Sequence, residues 1–243
     1  MNDLTVCSVV YNDAQVGLLD LMVSSVLKHT TTIPKFLLLD NGGNNLDCYR
    51  SNPNFIVIDN TDSLYRGSLA HGIGLNRLLA LSTTRYTAII ESDCVMVEDT
   101  WCDLGSSKIK AASKGPGLYH ACFLVFETEL LRELDFRPGH DDNRYNRSYS
   151  ASEDVGWCIQ ERIKPQDLLA LDLIDCKSGK GKVFGGGFQS DEIQCDGKTI
   201  ALHLGRGSNL AGKKLIPGFE HPTVQLKQWK EAVSNILQTK SKE

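Results

Sequence analysis

Several patterns that identify common classes of protein are absent from this chain of 243 residues. Its eight cysteines form no C-x-x-C pair, which argues against a zinc ribbon or a thioredoxin-type redox site. No signal-peptide pattern opens the sequence, and no apolar run reaches the ~18 residues that span a bilayer. We therefore expect a soluble, cytoplasmic protein with reduced cysteines and no transmembrane segment.

An excess of basic charge is absent as well. The sequence has 26 Lys and Arg against 30 Asp and Glu, a net charge of −4 and a pI near 5.9. Surfaces that bind nucleic acid are usually strongly basic, so we do not expect a nucleic acid as a partner. The hydrophobic content of 41% and the charged content of 23% are ordinary for a soluble globular protein.

Common nucleotide-binding and hydrolase motifs are missing too. The G-K-T at residues 197–199 could close a P-loop only if position 192 were glycine, and the chain has Glu192 there. The segment GIGLNR, residues 72–77, lacks the third glycine of a dinucleotide-binding fingerprint. Neither a G-x-S-x-G elbow nor an H-E-x-x-H motif occurs. These absences argue against P-loop nucleotidases, Rossmann dehydrogenases, α/β-hydrolases and zinc peptidases.

The sequence does contain an alternation of strand and helix patterns. Buried strands are predicted from apolar runs at residues 4–11, 35–40, 54–59 and 86–90. A helical pattern that begins at Asn12 or Asp13 and ends before Pro34 separates the first two strands, and another from about Ser68 to Leu81 precedes the fourth. This rhythm predicts an α/β fold with a mostly parallel central sheet, covered by helices on both faces.

The second half of the chain has a less regular pattern. Residues 135–152 contain almost no aliphatic side chains and many turn formers, so we expect a long polar loop that covers or binds a substrate. A final helix is predicted from Pro222 onward, with an apolar stripe that packs against the sheet.

Acidic residues follow three of the predicted strands: Asp40, Asp59, and the pair Glu91 and Asp93. Ligands of open α/β sheets bind outside the carboxyl ends of the strands, where these acids would gather. Residues i and i+2 of an extended strand point to one side, about 6.6 Å apart, so Glu91 and Asp93 could share a divalent cation with a diphosphate. An alternative interpretation is that they cap the next helix or stay solvated.

Six segments of the chain form a further pattern when they are taken in order: VCSVVYN (6–12), LLLDNGGNN (37–45), SLAHGIGLNRLLALSTTRYTAIIESDCVM (68–96), LYHACFLVF with LDFRP (118–126 and 134–138), SEDVGWCIQERI (152–163) and ALHLGRGS (201–208). Together they resemble the family 2 glycosyltransferases with the GT-A fold. The resemblance implies one GT-A-type domain over residues 1–243. Its nucleotide-binding half would be 1–96 and its acceptor-side half 97–221, followed by a C-terminal helix at 222–243.

The activity that the resemblance implies is an inverting, metal-dependent glycosyl transfer. A sugar would pass from a nucleoside-diphosphate sugar to a hydroxyl of a glycan or another acceptor, with Mn²⁺ or Mg²⁺ as the cofactor. By this resemblance Tyr11 and Asp40 would contact the base and ribose, Asp93 and His203 would bind the metal, and Asp154 would be the general base.

Two further residues stand at positions that face the donor in the family, but each has a different side chain from the one that many members carry there. Glu91 occupies the first acidic position of the D-x-D motif and is one methylene longer than aspartate. His71 stands near the position where many members of the family carry an arginine that faces the donor phosphates. The resemblance implies that both contact the donor.

Alternatives to these assignments follow from the same residues. His203 lies among apolar neighbours, which is also typical of a buried structural histidine. Ser150 to Glu153 form a capping box, so Glu153 is explained as a helix cap, whereas Asp154 lies on the inward edge of the predicted helix. At the level of function, the alternatives are a sugar nucleotidyltransferase and a non-catalytic module that binds a nucleotide or a glycan.

Overall fold

The computed structural model describes residues 3–11, 13–60, 67–113, 115, 117–138, 155–175, 183, 190–205 and 222–239. The strands are β1 (Leu4–Val10), β2 (Lys35–Asp40), β3 (Phe55–Asp59), β4 (Tyr86–Ile90), β5 (Cys94–Met96), β6 (Ile109–Ser113), β7 (Tyr119–Glu127), β8 (Leu168–Asp175), β9 (Asp191–Cys195) and β10 (Lys198–His203). The α-helices are α1 (Asp13–Lys28), α2 (Asp47–Arg50), α3 (Gly67–Leu79), α4 (Trp157–Arg162) and α5 (Pro222–Thr239). Short 3₁₀ helices span Thr128–Glu133 and Pro165–Asp167.

The first four strands pair with one another only in parallel. β1 pairs in parallel with β2 and β4, and β2 pairs in parallel with β3. Alternate side chains of β1 enter different core clusters: Val6 packs with Met22 of α1, whereas Cys7 packs with Leu78 of α3. Helix α1 therefore packs against one set of β1 side chains and α3 against the other, and β1, β2, β4, α1 and α3 lie near the predicted positions.

The sheet as a whole is mixed, and the prediction of a mostly parallel sheet is not confirmed. The strand order is β3-β2-β1-β4-β7-β6-β8-β9-β10-β5. Among the described residues, β4–β7, β6–β7, β8–β9, β9–β10 and β5–β10 pair antiparallel, and β6–β8 pair in parallel. The connection between β9 and β10 shows why these two strands are antiparallel. Only Asp196 and Gly197 join them, both at positive φ (50° and 72°), which is the geometry of a tight hairpin rather than of a crossover.

The short strand β5 determines where the candidate site lies. Only residues 91–93 separate it from β4, yet β4 is central in the strand order and β5 is at the edge, beside β10. The sheet must therefore curve so that its β10–β5 end returns to the carboxyl end of β4. In the β5–β10 register, His203 stands opposite Cys94.

The C-terminal helix α5 closes the core on this side. Trp229 and Val233 are fully buried and pack with Val95 of β5 and Leu202 of β10. This confirms the predicted apolar stripe of the last helix. Within the described part of the chain, no helix is both long and apolar enough to cross a membrane.

Candidate metal and donor site

The turn between β4 and β5 carries the two acids and is held from both sides. The Glu91 N–H donates to the Cys122 carbonyl on β7 at 3.0 Å, and the Cys94 N–H donates back to the Glu91 carbonyl at 2.9 Å. On the other side, the Leu204 N–H donates to the Asp93 carbonyl at 3.0 Å. The acids thus occupy a tight turn rather than the extended strand that the sequence suggested, and the residue after His203 is bonded to that turn.

Glu91, Asp93 and His203 lie together at this turn. The Nε2 atom of His203 is 3.2 Å from Glu91 Oε2 and 3.5 Å from Asp93 Oδ1. One ligand atom from each of the three residues falls within 4.8 Å of the others. Asp93 and His203 are buried, at 4% and 3% exposure, while the Glu91 side chain is 24% exposed. The cluster is therefore enclosed on the protein side and reaches solvent along Glu91.

The donor set of this cluster suits a divalent cation. Two carboxylates and one imidazole are oxygen and nitrogen ligands of the kind that Mn²⁺ accepts, and carboxylates are the usual protein ligands of Mg²⁺. Three protein ligands leave other coordination positions for water or for the oxygens of a diphosphate. The residues present fit a divalent cation.

The electrostatics of the cluster are those of a cation site. Burial alone would lower the pKa of His203, but the Cys122 sulfur, Asp93 and the hydrogen bond to Asp191 raise this pKa well above its ordinary value. Burial would likewise raise the pKa of Glu91, but the hydrogen bond from His203, with other nearby imidazoles, holds it well below its usual range. The positive charge of protonated His203 therefore balances the carboxylates of Glu91 and Asp93, as the charge of a bound metal ion would.

His71 lies next to Glu91, and Tyr11 lies next to His71. His71 Nδ1, on α3, is 3.7 Å from Glu91 Oε1. The Tyr11 ring meets the His71 ring edge to face, with centroids 6.2 Å apart. The Tyr11 hydroxyl donates to the Gly67 carbonyl at 3.2 Å, and burial raises its pKa, so it is a neutral phenol. The structure thus brings these three sequence-predicted residues together at the ends of β1 and β4.

Asp40 has a different environment. It is 1% exposed, and its carboxylate accepts hydrogen bonds from the Gly42 N–H at 2.8 Å, the Asn44 N–H at 2.6 Å and the Asn44 side-chain amide at 2.6 Å. A Cβ atom on Gly42 would stand 1.9 Å from the Tyr11 carbonyl oxygen. Asp40 therefore holds the turn after β2, and the backbone of that turn packs closely against the backbone of Tyr11 at Gly42. Its contact with a donor nucleotide stays a prediction.

Polar residues that the sequence analysis did not single out extend this edge of the sheet. The Asn60 amide donates to Asn41 Oδ1 at 2.6 Å, and Arg77 of α3 donates to Asn60 Oδ1 at 2.7 Å. Both asparagines follow predicted strands directly, so the signal for them was the same as for the acids. Asp59, the third acid at a strand end, is exposed and forms an ion pair with Arg50.

A second group missed by the sequence analysis holds His203. Asp191 Oδ2 lies 3.2 Å from His203 Nδ1, and the Ser190 hydroxyl donates to the His203 carbonyl at 2.9 Å. The Trp229 indole N–H donates to Ser190 Oγ at 3.2 Å. The ring of His120 is also close, with its centroid 5.5 Å from that of His203. These contacts join β7, β9, β10 and α5, and no short-range pattern predicts them.

The polar segment after β7 is described only at its beginning. The Asn76 amide of α3 donates to Asp135 Oδ1 at 2.6 Å, and the Arg137 guanidinium donates to Asp135 Oδ2 at 2.6 Å. Partial burial would raise the pKa of Asp135, but these bonds lower it to about 2. The start of the predicted loop is thus tied to α3, while residues 139–152 lie outside the described residues.

Asp154 also lies outside the described residues, so its assignment as the base stays a prediction. The helix that follows begins at Trp157 with Gly156 as its N-cap, so the predicted capping box of Ser150 to Glu153 does not begin this helix. Cys158 and Ile159 are buried in the core cluster that contains β7 residues, as the predicted stripe required. Gly156, directly before this helix, has a φ of 103°, a conformation that favours glycine.

Comparisons with known proteins concern the fold. No protein-family model matches the chain, and no curated protein matches it. Among solved structures, it is similar to the mannosyltransferase PcManGT from Pyrobaculum calidifontis in complex with GDP-Man and Mn²⁺, with 13% identity and a TM-score of 0.48 over 70% of this chain and 57% of that one. It is also similar to S. aureus TarS 1–349 in complex with UDP-GlcNAc, with 13% identity and a TM-score of 0.47 over 70% of this chain and 56% of that one.

The chain spans less than two thirds of the length of either protein. The similarity concerns the fold alone, and no residue's role is drawn from it.

Proposed function

We propose that the protein is a metal-dependent, inverting glycosyltransferase that moves a sugar from a nucleoside-diphosphate sugar to an acceptor hydroxyl. The observation that carries this proposal is the cluster of Glu91, Asp93 and His203 at the carboxyl end of β4, beside Tyr11 and His71. The donor nucleotide would lie over the carboxyl ends of β1 and β2, where ligands of such sheets bind. Its diphosphate would then reach the cluster.

The described residues have distinct tasks in this mechanism. Asp93, His203 and Glu91 would hold Mn²⁺ or Mg²⁺, which when bound stabilises the negative charge on the departing diphosphate. His71 lies on the donor side of Glu91 and, when protonated, would add positive charge toward the phosphates. The turn built by Asp40 supports the backbone of Tyr11, whose ring would pack against the nucleoside.

The transfer itself would be a single displacement. We propose that Asp154 accepts the proton of the acceptor hydroxyl as its oxygen bonds to the anomeric carbon and the bond to the diphosphate breaks. General-base catalysis is typically worth about 10² to 10⁴ in rate. The segment 135–152 would then contribute to acceptor binding, since its first residues are anchored beside α3.

The test is an assay of nucleoside-diphosphate release from a panel of nucleotide sugars, with glycan acceptors, in Mn²⁺ or in EDTA. We expect release from a small number of donors that requires Mn²⁺. Asp154→Asn should keep donor binding and slow transfer by at least ~10²-fold. Glu153→Gln is the matched control, and it should leave both donor binding and transfer largely intact.

Each other outcome of this assay has a defined meaning. The reverse pattern in the two variants would exchange the roles of Glu153 and Asp154, and full activity in both would refute the single-displacement proposal. A preference for triphosphates with release of pyrophosphate would identify a sugar nucleotidyltransferase. Metal-dependent binding of donors with no release, with every acceptor tried, would favour a binding module.

A further inference from the structure

The two ring nitrogens of His203 face different groups. Nε2 faces Glu91 and Asp93, at 3.2 and 3.5 Å, on the side of the proposed cation. Nδ1 faces Asp191 Oδ2 at 3.2 Å, on the opposite side of the ring. A histidine binds a metal through a nitrogen that carries no proton, so the proton of the neutral ring must then reside on the other nitrogen. The environment of Nδ1 therefore decides whether Nε2 is available.

The β9–β10 pairing places Asp191 directly opposite His203. Residues directly opposite each other in an antiparallel pair project to the same face of the sheet. The backbone of His203 is held in place by the Ser190 hydroxyl on its carbonyl and by the Leu204 N–H on the Asp93 carbonyl. The carboxylate and the ring thus face each other within a fixed frame.

The position of Asp191 is unfavourable for the sheet itself. On its other side, Asp191 is paired in register with Asp175 of β8. Like charges that stand directly opposite each other on neighbouring strands are destabilising. The contact with the His203 ring gives this acid a partner across the β9–β10 pair.

We propose that Asp191 is a positioning residue for the metal site. Its carboxylate accepts the Nδ1–H of His203, which keeps the proton on Nδ1 and directs the unprotonated Nε2 toward a divalent cation held by Glu91 and Asp93. Carboxylates that orient a metal-binding histidine in this way typically contribute about 10- to 100-fold to metal affinity. This inference rests on the metal site of the proposed function, and it adds a residue that does not touch the metal.

The experiment measures Mn²⁺ binding by titration calorimetry in the absence of nucleotide, so that transfer activity is not the readout. Asp191→Asn should bind Mn²⁺ about 10- to 100-fold more weakly than the wild type. The matched control is Asp172→Asn, which removes the same charge from an exposed position on β8. This control should leave the affinity unchanged. In a His203→Gln background, Asp191→Asn should cause no further loss, because Asp191 acts through His203.

A second measurement uses only the wild-type protein and so does not depend on the folding of a variant. Heteronuclear NMR of the imidazole nitrogens, with the protein loaded with diamagnetic Zn²⁺, should find His203 protonated at Nδ1 and metal-bound at Nε2. A metal bound at Nδ1 would overturn the inference, and so would equal Mn²⁺ affinity in Asp191→Asn and the wild type. A wild-type protein that binds no divalent cation would instead refute the proposed function on which the inference rests.

Discussion

Asp40 is the last residue of the buried strand β2, Asp93 lies three residues beyond the end of β4, and both are almost fully buried, at 1% and 4% exposure. The hydrogen-bond donors around them differ. Asp40 is surrounded by donors of its own turn, the N–H groups of Gly42 and Asn44 and the Asn44 amide. Asp93 and its neighbour Glu91 face the imidazole of His203, which comes from a strand more than a hundred residues further along the chain.

This difference separates an acid that builds structure from an acid that can bind a cation. An N–H group of the backbone does not lose its proton, so the oxygens of Asp40 remain occupied as hydrogen-bond acceptors within the turn. An imidazole can release its Nε2 proton and become a ligand itself, so Glu91, Asp93 and His203 can exchange one proton for one metal ion. Burial and a position at a strand end do not distinguish the two cases.

The largest expected effect is on metal binding by Asp93→Asn. Loss of a partner that only orients a ligand typically costs about 10- to 100-fold in affinity, so loss of a direct ligand should cost at least ~10²-fold. Asp40→Asn, measured by the same Mn²⁺ titration, should leave the affinity nearly unchanged. An equal loss in both variants would remove the distinction drawn between the two turns. Circular dichroism should show that both variants are folded.

Stability should follow the opposite order. Asp40→Asn replaces an acceptor of three hydrogen bonds by an amide with one oxygen, which leaves at least one donor of the turn unsatisfied. We expect a loss of about 2 kcal/mol in the free energy of unfolding, as is typical for hydrogen bonds to a charged group. Urea denaturation in EDTA measures this value. A loss below about 0.5 kcal/mol, the range of ordinary surface substitutions, would show that Asp40 does not hold the turn.

The affinity for Mn²⁺ should rise with pH because the metal displaces a proton from His203. The pKa of His203 is raised well above 6.5, whereas the depressed pKa of Glu91 keeps that carboxylate ionised. Near neutral pH, calorimetry in buffers of different ionisation enthalpy should therefore find release of about one proton per Mn²⁺, with a change of about tenfold in affinity per pH unit below the folded pKa. Release of no proton would contradict the exchange.

The same raised pKa predicts how the metal-free protein responds to pH. Protonated His203 stabilises the folded state, and this contribution is fully present below the ordinary pKa of 6.5 and is lost as pH rises through the folded pKa. The melting temperature in EDTA should thus fall with rising pH over that interval, and Mn²⁺ should offset the fall. His203→Gln should remove this pH dependence.

The smallest effect is expected at the third acid that follows a strand. Asp59 is exposed and paired with Arg50, with side-chain exposures of 60% and 36%. Exposed ion pairs contribute about 0–1 kcal/mol, so Asp59→Asn should change stability by at most ~0.5 kcal/mol and leave the Mn²⁺ affinity unchanged. A large effect on either quantity would mean that Asp59 belongs with one of the other two acids.

Local patterns predicted the parts of the fold that local physics determines. β1, β2, β4, α1 and α3 were found from apolar runs and helical stripes, because each buries a regular face. β5 has three residues and β9 is mostly polar, so neither has a recognisable period. The antiparallel pairing of the second half was missed, although Asp196-Gly197 is a hairpin signal in its own right.

The candidate site was predictable to the extent that it has a linear motif. Glu91 and Asp93 were visible at the end of β4, and His203 was selected through the resemblance. Asp191 and the Ser190–Trp229 contact depend on the β9–β10 register and on the packing of α5, which connect segments far apart in the chain. The turn of Asp40 could have been identified, since Asp followed by Asn and Gly residues is typical of a side chain that bonds its own backbone.

Glu91, Asp93 and His203 should together hold one divalent cation, and a crystal soaked in Mn²⁺ would show that ion. Anomalous scattering locates manganese independently of any activity. We expect one peak bonded to the carboxylate oxygens of Glu91 and Asp93 and to Nε2 of His203, and no peak at the turn of Asp40. The absence of manganese from the cluster at saturating Mn²⁺, or a peak at Asp40 instead, would contradict this expectation.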